Sequence, residues 1–271
     1  MMGSSDAAPS ATRLHVIHRL YSASFDLNCF GAEPIGTYML ATIPRSGSTF
    51  CAIRLWQSGL LGAPMEYLNF RVMGQVFRRL GYQPDERGHI PEGRMADYWR
   101  DIRRLRTSLN GMFGFKMFPG NYIEIAKAYP SFLANITPNY VVYLTRRDDL
   151  GQAMSYSRAR RSNVWFAGVE KTLDVPYDFD HIKGCLKSVR QQKQSWEDIF
   201  AATGTTPIRI YYEDLLSHGE TVVACVLTAM GITPDASTAL EVPMIIRQTD
   251  GINADWQARF LDDLSRHTEA A

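Results

Sequence analysis

The sequence is poor in cysteine, in net charge and in long apolar runs. Its four cysteines (Cys29, Cys51, Cys185, Cys225) form no CxxC pair, and no histidine stands at metal-ligand spacing from them. That points away from a thiolate metal centre and towards free thiols in a reducing compartment, each read as a small core residue. Lysine plus arginine total 29 against 28 aspartate plus glutamate, leaving +1. Nucleic-acid binding rests on a net basic footprint, so no nucleic-acid partner is expected, although local basic sites for a small anion have room to exist. No run reaches the roughly 18 apolar residues that cross a bilayer. The opening MMGSSDAAPSATRL lacks the apolar segment of a secretory signal. No transmembrane segment and a cytoplasmic location are therefore expected. There is no GxSxG elbow, which argues against a Ser-His-Asp hydrolase.

What is present is an alternation. Thr37–Ile43, Gly111–Phe118, Asn139–Thr145 and Pro207–Tyr211 are short apolar runs of strand type. Helical patterns lie between and after them, at about 48–59, 70–80, 94–108, 121–128, 148–161, 178–203, 219–231 and from about 253. Residues 1–12 read as a disordered tail, 13–36 show no period, and 13–271 read as a single domain. Strands alternating with helices imply an α/β fold with a central parallel sheet flanked by helices. Such sheets bind ligands at the carboxyl ends of their strands, which directs attention to the loops after residues 43, 118 and 145.

The loop after the first strand is Pro44-Arg45-Ser46-Gly47-Ser48-Thr49, and a helix follows it directly. That placement aims unpaired backbone N–H groups and the positive helix end at one spot. Gly47 admits close approach of an anion, Arg45 adds a planar fork of donors, and Ser46, Ser48 and Thr49 add hydroxyls. The plainer reading is a turn with a capping serine. A nucleotide kinase would need GxxxxGK[ST]; here Ser48 stands where the lysine belongs and Ile43 where the first glycine belongs.

PRSGST after an apolar strand resembles the loop of the sulfotransferases that use 3′-phosphoadenosine-5′-phosphosulfate (PAPS). The segments ATIPRSGSTF, LGAPMEYLNF, TRRDDLGQAMSYSRARRSNVW and IIRQTDGINADWQARF, with GFKM and YYEDL, resemble the bacterial trehalose 2-sulfotransferase-like family across residues 38–260. The resemblance implies the P-loop-type three-layer sulfotransferase fold. It implies PAPS as sulfonate donor, 3′,5′-bisphosphoadenosine (PAP) as product and no metal. It implies that Arg146 or Arg147, both carried forward, holds the 3′-phosphate with Ser155. It places Tyr212 at the adenine, Phe50 there by stacking or else in the core, and Arg247 and Gln248 near the 3′-phosphate.

The resemblance also implies a base. Lys116-Met117-Phe118 stands where the animal cytosolic enzymes carry a catalytic histidine, and phenylalanine cannot take a proton. Gly62-Ala63-Pro64-Met65-Glu66 resembles the bacterial segment that supplies a glutamate, making Glu66 the expected general base, against the ordinary reading of an exposed loop carboxylate. Arg45 and, more weakly, Lys116 would neutralise charge on the leaving group and sulfonate. The implied acceptor is a carbohydrate hydroxyl on trehalose, a glycolipid or a polysaccharide. Tyr67, Asn69, Tyr98, Trp99, Arg158 and Trp165 suit sugar contacts and equally suit surface or core. Relatives form dimers, which leaves a homodimer open. The alternatives are a P-loop nucleotide-dependent kinase and a non-catalytic nucleotide-binding module, the latter having no need of Glu66.

Overall fold

Four apolar runs become the strands β1 (Gly36–Ala41), β2 (Met112–Met117), β3 (Tyr140–Thr145) and β4 (Ile208–Tyr211) of one parallel sheet, in the order β2-β1-β3-β4. The structure is a computed structural model and describes residues 19–27, 33–86, 90–165, 175–244 and 252–269. β2 is buried at every position and β1 over its last four. Helices cover both faces, and for that reason these strands read as continuous apolar runs instead of alternating ones. In register, Leu40 of β1 stands beside Lys116 of β2, and Ala41 beside Tyr143 of β3. The carboxyl end of β1 therefore opens between the ends of its two neighbours.

The helices occupy the connections. α1 (Ser48–Gln57), α2 (Phe70–Arg79) and α3 (Glu92–Arg106) separate β1 from β2. α4 (Pro119–Ala128) and α5 (Pro130–Asn135) separate β2 from β3, and α6 (Asp149–Ser162) and α7 (Phe179–Thr203) separate β3 from β4. α8 (Tyr212–Ala229) and α9 (Ile252–Glu269) follow β4. α1 stops at Gly59, whose φ is +71° and where a Cβ would lie 1.7 Å from the Thr238 carbonyl oxygen. Only glycine fits that left-handed, crowded position.

Two elements differ from the sequence expectation. α5 is six residues long, too short to display a helical period, though Pro130 at its first position is a recognised start. α8 begins at Tyr212, well before the expected 219, and bends at His218 (φ −140°, ψ 44°). Glu213 and Asp214 in its first turn favour the positive helix end. They also tie that turn to the end of β3, where Glu213 accepts from the Arg147 N–H at 3.2 Å.

The core is continuous from α1 through the sheet to α7. Cys185, Ile182, Val189, Trp196 and Phe200 form the buried stripe of α7. α9 docks through Trp256 and Phe260 onto Met154 and Ile182. Residues 20–26 are held by Arg106, which is fully buried on α3. Its guanidinium donates to the carbonyls of Leu20 (2.9 Å), Phe25 (3.0 Å) and Ser22 (3.1 Å) and pairs with Asp26 at 3.0 Å. A buried charge needs such partners.

Cys51 and Cys185 are buried, as core thiols should be, but Cys225 is exposed on α8 and corrects the expectation for that residue. Cys29 lies outside the described residues. Burial pushes the Cys51 thiol up to about 12, against the pull of nearby Lys116, which leaves it protonated and inert at neutral pH. Among the described residues, no helix is long and apolar enough to cross a membrane.

Candidate active site

The loop 44–49 is fastened from below. The Thr42 carbonyl accepts from Trp196 Nε1 at 2.8 Å, and the Pro44 carbonyl accepts from Gln152 Nε2 at 2.8 Å. The Thr42 and Ser46 hydroxyls share a hydrogen bond at 2.6 Å. Arg45 (φ +63°) and Gly47 (φ +81°) are both left-handed. A Cβ on Gly47 would lie 2.2 Å from the Tyr212 ring, so the glycine is required both by its torsion and by this close approach. Gly47 caps α1 with no side-chain hydrogen bond, a helix start of the kind at which anions can bind.

Arginines surround that end. Arg45 Nε donates to Ser155 Oγ at 3.0 Å, and its Nη1 donates to the Trp165 carbonyl. Burial, then repulsion from Arg158 and Arg146, brings the Arg45 guanidinium down to about 10. It stays charged at neutral pH, in a cluster of like charges that an anion would relieve. Arg146 lies over the Tyr212 ring at 5.4 Å. Its Nε is buried without a hydrogen bond, with a Glu213 oxygen 3.8 Å away, while Nη2 meets Asp148 at 3.2 Å. Arg147 is engaged elsewhere: it makes a two-pronged pair with Asp214 (2.7 Å twice) and stacks over Tyr211 at 4.0 Å. Phe50 meets Tyr212 edge-to-face at 6.5 Å, forming an aromatic wall beside the loop.

The carboxylate arrives from a different direction. Lys116 N–H donates to the Met65 carbonyl at 2.9 Å, and Met65 bridges to Phe115 in parallel fashion, so the segment leading to Glu66 runs as an extra rung along β2. Glu66 N–H donates to Tyr21 Oη at 3.0 Å. Glu66 Oε1 lies 2.8 Å from Lys116 Nζ, which also donates to Thr49 Oγ1 at 3.1 Å. Asn69 Nδ2 donates to Glu66 Oε2 at 2.7 Å. Lys116 is 1% exposed in its side chain and Glu66 12%. Thr49, Lys116 and Glu66 thus form one connected chain from the anion loop to the carboxylate.

A model of the Stf0 sulphotransferase family matches residues 37–263. The chain belongs to that family. It is an enzyme that transfers a sulfonate group. Trehalose 2-sulfotransferase of Mycolicibacterium smegmatis is 25% identical over 260 residues, covering 84% of this chain and 96% of the relative. Trehalose 2-sulfotransferase of Mycobacterium tuberculosis is 24% identical over 271 residues, covering 87% and 98%. A solved sulfotransferase from Alicyclobacillus acidocaldarius aligns at TM-score 0.44 with 16% identity, covering 87% of this chain and 94% of that one.

In this Stf0 sulphotransferase, Arg45, Ser46, Gly47, Ser48, Thr49, Phe50, Lys116, Glu66, Arg146, Ser155 and Tyr212 gather at the carboxyl ends of β1, β2 and β3. Arg147 is turned to the surface. Arg247 and Gln248 lie outside the described residues. Of the residues suited equally to sugar contacts and to surface or core, Tyr67, Tyr98 and Trp99 are core residues at 0%, 0% and 4% exposure. The Tyr98 hydroxyl donates to the Tyr67 carbonyl, and the Trp99 ring packs against Phe113, Phe115 and Phe132. Gln152 and Trp196, which fasten the loop, have no signal in the sequence, because each acts across more than a hundred residues. Asn69, read from the sequence only as suited to sugar contacts, surface or core, caps α2 by accepting from the Arg71 N–H at 3.1 Å. Neither the cap nor its contact with Glu66 was legible in the sequence.

Proposed function

We propose that this enzyme moves the sulfonate of PAPS onto a carbohydrate hydroxyl, with Glu66 as general base. The observation that carries the reading is the chain Thr49–Lys116–Glu66, which joins the loop suited to an anion to a carboxylate a few ångströms away. The acceptor oxygen forms a bond to sulfur as the bond from sulfur to the 5′-phosphate oxygen breaks. The acceptor's proton passes to Glu66 and PAP departs with the electron pair. Arg45 and the α1 N-terminus face the charge that builds on the leaving group, and Lys116 faces the sulfonate. Arg146, with a buried Nε–H awaiting an acceptor, holds the 3′-phosphate together with Ser155. Tyr212 and Phe50 border the adenine.

Trehalose is the first acceptor to try, since the curated relatives are trehalose 2-sulfotransferases. A panel of trehalose, glucose and simple glucosides with PAPS, read as PAP release and sulfated product, tests the reaction. Glu66→Gln is expected to lower turnover by about 10²–10⁴-fold, the usual contribution of a general base, while PAP still binds without Mg²⁺ in calorimetry. Full turnover by that variant would sink the assignment of Glu66. Mg²⁺-dependent ATP binding with no PAP binding would replace the reading with a kinase.

A further inference from the structure

We propose that Asn69 is a positioning residue for the reaction, and that its amide sets the direction in which the Glu66 carboxylate points. The inference rests on the reading of Glu66 as general base. The two ends of the amide serve two different partners. Asn69 Oδ1 accepts from the Arg71 N–H at 3.1 Å, capping α2, and Nδ2 donates to Glu66 Oε2 at 2.7 Å. The amide cannot be turned around, because a backbone N–H needs an acceptor and a carboxylate needs a donor.

The cap alone does not explain an asparagine. Aspartate and serine cap helices as well as asparagine does, since each offers an oxygen. Only the Glu66 contact uses the amide nitrogen. Aspartate there would set a second carboxylate against the first, and serine would not reach it with an N–H. Asparagine is therefore chosen by the carboxylate. Among the described residues, Glu66 is held by one donor on each oxygen, Lys116 from β2 and Asn69 from the start of α2. Each oxygen keeps a second lone pair with which to meet a hydroxyl. Two donors from two separate elements fix the plane of the carboxylate, which is what a base needs if it is to meet the attacking oxygen in line.

The test is a comparison of Asn69→Asp and Asn69→Ser, both of which keep a helix cap. It uses PAPS and trehalose, or whichever panel sugar turns over fastest. The expected result is kcat lower by about 10²-fold in Asn69→Asp and by roughly tenfold in Asn69→Ser, with the PAP dissociation constant and melting temperature close to wild type. A residue that only caps α2 would leave kcat unchanged in both. Wild-type kcat in a folded Asn69→Asp, or in Asn69→Ser should the aspartate variant not fold, overturns the proposal. In the Glu66→Gln background, Asn69→Asp is expected to cost nothing further. Inactive Glu66→Gln with fully active Asn69→Asp defeats the role of Asn69 alone, whereas fully active Glu66→Gln defeats the general-base reading.

Discussion

Arg146 and Arg147 are neighbours in sequence with the same side chain, yet their surroundings give them different work. Arg147 is half exposed, clasped by Asp214 and stacked on Tyr211. Arg146 is mostly buried, close to Arg45, with an unanswered Nε–H. Calorimetric titration with PAP is expected to separate them. Arg146→Ala should weaken binding by about 10–100-fold, the equivalent of a hydrogen bond to a charged group. Arg147→Ala should change it by less than about threefold, because an exposed ion pair contributes little and lies away from the loop. The sequence could not choose between the two. Both follow the same apolar strand, and what sets their surroundings apart is Asp214, which arrives from another element.

At the scale of elements, the loop 44–49 depends on a strand, three helices and a ring. Gly47→Ala would force a Cβ against Tyr212 at a left-handed torsion. It is expected to cost about 1–3 kcal/mol in denaturant unfolding and to abolish PAP binding. Trp196→Phe would remove the bond to the Thr42 carbonyl from within α7. It is expected to cost about 1–3 kcal/mol for the carbonyl left unpaired, and to weaken PAP binding although Trp196 is fully buried in the core. All four strands and the helices of ten residues or more were legible, the first turns of α8 excepted, because burial on both faces writes apolar runs and helix burial writes a period. The loop's place was legible because strand, breaker and helix are contiguous. Fastenings such as Trp196 to Thr42, Arg106 to residues 20–26, and Met65 to Lys116 were not legible. Each joins residues far apart in sequence through the polar groups of one residue, and no local pattern records that.

At the scale of the whole molecule, a cluster of like charges held by the fold is a standing cost that a bound polyanion removes. PAP at a hundredfold excess over its dissociation constant is expected to stabilise the protein by about 2.7 kcal/mol, read as a rise in melting temperature. The rise should shrink as salt screens the arginines. Lys116 carries a different consequence. One ammonium, reaching Thr49 on one side and Glu66 on the other, joins the two halves of the site proposed for donor and acceptor. The two halves therefore have a common account of charge. Whatever neutralises one end alters the hold on the other, and the coupling must be equal in both directions. Glu66→Gln should accordingly bind PAP at least as tightly as the wild-type protein, so that a nucleotide titration, with no sugar in the cell, reports on the state of the Glu66 carboxylate.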